Sequence, residues 1–211
     1  MGCEVEDTEF DGKKVYRMDA ADGAVNEVSL IDIATASMVN NNYETQFTAT
    51  LSSPVSPPPF MAGMAEVEID KETGGIKVIY YEATVDCGTP VNPNLARVQT
   101  EGGIAQGIGM ALYEDITYGK HGEILENSFM QYKIPTRQDV GRIHVEFEES
   151  YEPSSAFGAK SIGEIVINTP SPAIVHAVYN ATGVWIRELP VTPEKILKGI
   201  RENRANSSCF F

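Results

Sequence analysis

Polar and apolar positions alternate through residues 1–19 about Asp11-Gly12, a pair that favours a tight turn, and predict a β-hairpin. Ser29, with Asp32 three positions later, has the form of a capping box. The helix it opens places Leu30, Ile33, Ala34, Ser37 and Met38 on one apolar face, and Asn40, Asn41 and Asn42 end it. Residues 45–51, with their β-branched and aromatic side chains, read as a short strand. The stretch 52–60 (SSPVSPPPF) reads as a rigid surface connector, because its four prolines remove the donors a central strand needs.

Residues 64–70 and 76–86 flank Glu72-Thr73-Gly74-Gly75 and predict a second hairpin, with Val67, Ile69, Val78 and Tyr80 on its buried face. A long helix is expected from Asn92-Pro93-Asn94 to about Leu112, and a strand over 142–148. Residues 170–180 read as a helix closed by a left-handed Gly183, and 184–189 as a strand. Thr192-Pro193-Glu194 opens a last helix to about Arg204, leaving 207–211 frayed or packed on a neighbour. Strands and helices mix without regular alternation or internal repeat. The class is therefore α+β, mixed sheets packed with helices.

The long helix carries Gly102, Gly103, Gly107 and Gly109. Each costs about 0.8–1.0 kcal/mol relative to alanine in a helix, so the run needs a reason. Gly103, Gly107 and Ala111 share one face, stripped of side chains, that either a neighbouring backbone or a ligand approaches closely.

A net charge of −14 argues against nucleic acid or an anionic membrane surface as partner. No apolar run approaches the ~20 residues that span a bilayer, and the first residues have no secretory-signal character. Three widely spaced cysteines (Cys3, Cys87, Cys209) fit a reducing cytoplasm and no disulfide framework. Neither they nor His121, His144 and His176 have metal-ligand spacing, so no residue of the chain is expected to bind a metal directly.

Two places carry candidate chemistry. Gln106 is an amide amid small and apolar residues. It either satisfies a buried backbone group or reaches a polar cofactor that the glycine face admits. Glu164 follows the glycine-flanked loop FGAKSIG and precedes Ile165, Val166 and Ile167. It is either a glutamate at a helix N-terminus or a desolvated carboxylate suited to accept a proton.

Several segments, in order, resemble the C-terminal region of the molybdenum-binding subunit of the xanthine dehydrogenase and aldehyde oxidase family. They are SPPPF (56–60), AEVEIDKETG (65–74), DCGTPVNPN (86–94), QTEGGIAQGIGMALYE (99–114) and QYKIPT (131–136). FGAKSIGE (157–164) and ATGVWIRELPVTPEKIL (181–197) complete the set. The motifs cover most of the chain from about residue 45. The resemblance implies a C-terminal molybdopterin-binding region over 1–211. Its family-like core is 46–200, preceded by a portion (1–45) without these motifs and followed by a tail (201–211).

The resemblance also implies hydroxylation of a purine, a related N-heterocycle or an aldehyde, with water as the oxygen source. Glu164 corresponds to the family's general base beside the molybdenum. Gln106 and Gly107 lie in the segment that contacts molybdopterin, and Gly158, Ala159, Lys160, Ser161 and Gly163 in the loop that borders it. The pterin dithiolene holds the metal. Implied partners are the remainder of the molybdenum subunit and iron–sulfur and FAD domains or subunits that take the electrons. As a fragment or split-gene chain it is expected to be inactive alone, with an exposed apolar face that favours self-association. The alternative is a non-catalytic interaction or assembly domain that keeps the fold.

Overall fold

The computed structural model describes residues 3–18, 26–40, 48–148 and 150–208. They fall into two compact units, Met1–Leu51 and Ser52–Phe211.

In the first unit β1 (Thr8–Phe10), β2 (Lys14–Arg17) and β3 (Glu27–Ser29) form an antiparallel sheet in that order. The Asp11 carboxylate accepts the N–H groups of Lys13 and Lys14 and fixes the expected turn. α1 (Leu30–Asn40) begins at the predicted capping box: the Asp32 N–H donates to Ser29 Oγ at 3.1 Å, and the Ser29 N–H to Asp32 Oδ2 at 3.3 Å. Its expected apolar face is not buried. Leu30, Ile33, Ala34 and Met38 are exposed, because none of the described residues of this unit covers that stripe. Residues 48–51 are not a strand: their backbone joins no ladder, whatever the β propensity of their side chains. Residues 45–47 and 209–211 lie outside the described residues.

In the second unit, the proline-rich connector leads into β4 (Phe60–Ile69), which pairs antiparallel with β5 (Ile76–Asp86). A crossover through α2 (Pro93–Leu112) places β6 (Arg142–Phe147) parallel to β5, giving the order β4-β5-β6. The hairpin's buried face departs from the simple alternation. Glu66 pairs with Tyr80 but Val67 with Val78, so Ile79 is an extra residue on β5. This bulge turns Tyr81 inward, fully buried with its hydroxyl donating to Thr169 Oγ1 at 2.9 Å. Tyr80, expected inside, is left half-buried under Arg142.

One face of the sheet is covered by α2 and by α4 (Pro170–Thr182), which follows the single turn α3 (Ile165–Asn168). Val78, Tyr81, Ala83 and Val85 meet Ile104, Ile108, Ile174 and Val178 there, and Ile196 of α5 (Pro193–Ser208) joins the same core. Gly183 caps α4 in the left-handed conformation, as expected. Residues 184–189 do not form the expected strand. Val184 and Ile186 are buried, but Val184 seats against Gly199 of α5 and Trp185 stacks on Tyr179 of α4 at 4.3 Å. Helices supply the partners that a ladder would have supplied. The last helix also runs past Arg204, to Ser208.

Candidate functional site

Helix α2 begins where Asn92 Oδ1 accepts the Leu95 N–H, with Pro93 pre-set in the first turn. Its glycines then divide by what they face. A Cβ on Gly103 would stand 2.2 Å from Val166 Cγ2, and one on Gly107 2.7 Å from the ring of Pro170 and 3.1 Å from the Ile167 carbonyl. The stripped face is therefore occupied by the chain itself: α3 and the start of α4 ride directly on the α2 backbone. Gly102 is different. A Cβ there would meet nothing within 4 Å, and the same holds for Gly163.

This close crossing brings the two candidate residues to one place. Val98, Gln99, Gly102, Gly103 and Gln106 from α2, with Gly163, Glu164 and Ile167 opposite, line an open cavity of about 470 Å³. Glu164 immediately precedes α3 and its side chain makes no capping bond to that turn. Both Gln106 and Glu164 are exposed in this chain, and of the two readings of Glu164 it is the glutamate at a helix N-terminus that the chain by itself presents.

The loop before Glu164 is tied to the end of β5. Gly88 bridges antiparallel to Ala159, the Lys160 N–H donates to the Cys87 carbonyl at 2.7 Å, and the Thr89 N–H to the Gly158 carbonyl at 2.8 Å. Lys160 Nζ lies 2.6 Å from Asp86 Oδ2. Asp86 also accepts Ser150 Oγ at 2.6 Å and the Gly88 N–H at 3.0 Å. The Lys160 ammonium, then the Ser150 hydroxyl and the Gly88 amide, hold the Asp86 carboxyl at about 2. Ala159 and Lys160 line a second cavity of about 340 Å³, together with Cys87 and with Gln99, which also lines the first. Gly107 and Gly158 are buried in packing, and Ser161 is exposed; none of the three lines either cavity. Sequence reasoning gave no role to Gln99 or Asp86. The helical offset of Gln99 from Gln106 was a usable signal for the first, whereas nothing local marked Asp86 as the partner of Lys160.

Residues 1–141 match the model of the molybdopterin cofactor-binding domain. The chain belongs to that family. Over 185 residues this molybdopterin cofactor-binding domain is 37% identical to the probable hypoxanthine oxidase XdhD of Escherichia coli, covering 85% of the chain and 19% of that protein. It is 33% identical over 150 residues to the aldehyde oxidoreductase molybdenum-binding subunit PaoC of the same organism, covering 70% of the chain and 20% of the relative. Among solved structures, quinoline 2-oxidoreductase from Pseudomonas putida superposes with a TM-score of 0.77 at 29% identity, over 93% of this chain and 26% of that one. The chain thus spans about a fifth of the curated relatives it matches. The α+β class and the resemblance read from the motifs hold.

Proposed function

We propose that this chain supplies one wall of the molybdenum–molybdopterin site of a hydroxylase, with Glu164 as its general base. The observation that carries the reading is that Gln106 and Glu164, far apart in sequence, line one cavity. A pterin is a flat heterocycle whose edges both donate and accept hydrogen bonds. Gln99 and Gln106 offer amides that do both, around a floor left bare at Gly102 and Gly163. These residues fit such a group. Gln106 would bond its edge, and Gly102 and Gly163 would leave it room.

When bound, the cofactor supplies the redox chemistry and the site at which a water-derived oxygen is activated. Glu164 would serve there as the general base, its carboxylate accepting a proton. The remainder of the molybdenum subunit closes over the exposed cavity, and excluding water there strengthens the carboxylate's interactions. Val91, just before α2, and Leu95 and Val98 on it are exposed and give that remainder an apolar surface to cover. The substrate is a purine, a related N-heterocycle or an aldehyde, in keeping with the relatives named above. Electrons leave to iron–sulfur and FAD domains or subunits in the cytoplasm.

Glu164→Gln and Glu164→Ala in the complete, cofactor-loaded enzyme are expected to lower turnover by at least about 100-fold while molybdenum content is retained. Near-normal turnover in either variant would overturn the assignment and favour a domain that keeps the fold for assembly alone.

A further inference from the structure

We infer that Asp86 is a positioning residue for Glu164, acting through Lys160 to fix the loop that presents it. This rests on the reading of Glu164 given above. The ion pair is largely withdrawn from water, with 21% of the Asp86 side chain and 11% of the Lys160 side chain exposed. Desolvating two charges is compensated only when geometry is good and the remaining lone pairs are satisfied. Here they are: Asp86 accepts Lys160 Nζ, Ser150 Oγ and the Gly88 N–H. An apolar contact would stabilise the fold as well. What the charged pair adds is a defined location for Lys160.

That location matters because the Glu164 side chain has no capping bond of its own and takes its position from the loop that carries it. Its carboxylate makes no capping bond, a Cβ added at Gly163 beside it would meet nothing within 4 Å, and Ser161 is exposed. The segment carrying Glu164 is fastened on both sides of the carboxylate, and Ile162, between Lys160 and Glu164, also packs partly buried against the core. On one side Lys160 is held by Asp86 and by the Cys87 carbonyl. On the other, Val166 is wedged on Gly103. Loosening the Lys160 side lets the carboxylate wander within the cavity mouth, and misplacement of a reacting group by about 1 Å can cost a hundred-fold in rate.

The test uses the complete enzyme with Asp86→Asn, Lys160→Met and the double variant, measured beside Glu164→Gln. Each single variant is expected to lower kcat roughly ten- to a hundred-fold at nearly constant KM and unchanged molybdenum content. Backbone amides of 157–164 should exchange with deuterium faster in both. The double variant should be no worse than either single, because one device is removed once. Unchanged exchange in that loop, unchanged kcat, or losses that multiply in the double variant would each overturn the inference. If Asp86→Asn does not accumulate, Ser150→Ala removes one donor from the same carboxylate and should give a smaller change in the same direction. Normal turnover in Glu164→Gln would instead overturn the role of Glu164 itself, while the exchange data would still report on the fastening.

Discussion

Gly107 on α2 lies against Pro170, the first residue of α4, so closely that a Cβ at position 107 would stand 2.7 Å from the proline ring. The contact explains why a helix with so many glycines is stable: the backbone cost is offset by the approach of a second helix segment that bulkier residues would forbid.

Gly107→Ala should therefore destabilise the protein by about 1–3 kcal/mol, the usual cost of overfilling a packed contact. Gly102→Ala, five residues earlier and facing the open cavity, should do the reverse. It gains up to about 1 kcal/mol of helix propensity and meets no atom. Urea unfolding of the two variants compares them directly. Equal losses at both positions would contradict the assignment of one glycine to packing and the other to the cavity. Under the proposed function, Gly102→Ala should also lower molybdenum occupancy, read by elemental analysis.

Gly88→Ala should cost more than either. Its φ of +65° is strained for any residue with a side chain, and an added Cβ would lie 2.2 Å from the Gly158 carbonyl oxygen. Backbone cannot move aside as a flexible side chain does, so a loss of about 2 kcal/mol or more is expected, from strain and overpacking together. Thermal unfolding measures it, and a change below about half a kcal/mol would mean that the Gly88–Ala159 bridge is not held as described.

The Asp86 carboxyl titrates at about 2, below its ordinary value of 3.8. A depressed acid stabilises the fold above the unfolded value, and that contribution is lost as pH falls through the folded one. The stability gap between the native protein and Asp86→Asn should hence be constant at neutral pH. It should narrow between about pH 4 and pH 2, as unfolding curves at stepped pH would register. A gap that widened on acidification would have the wrong sign for this carboxylate.

Features set by neighbouring residues were legible in the sequence. The Ser29–Asp32 capping box, the Asn92 cap and the left-handed Gly183 each depend on a few adjacent positions, and each stands where the pattern put it. Features that depend on distant chain were not. The bulge at Ile79 inverts the inward face of β5 and exchanges Tyr80 for Tyr81, which alternation alone cannot foresee. Residues 184–189 have a strand's alternation, yet Gly199 and Tyr179 from two helices receive their side chains. The site divides the same way. Gln106 and Glu164 stood out by their odd settings, whereas the partnership of Asp86 with Lys160 exists only once the loop has folded back on β5.

β5 ends at Asp86, and the residues that follow it lead directly into α2 while also receiving the loop that carries Glu164. The two sides of the cleft thus hang from a single hinge-pin. A displacement at the end of the sheet is therefore expected to carry both sides together and to leave the gauge of the gap between them nearly constant.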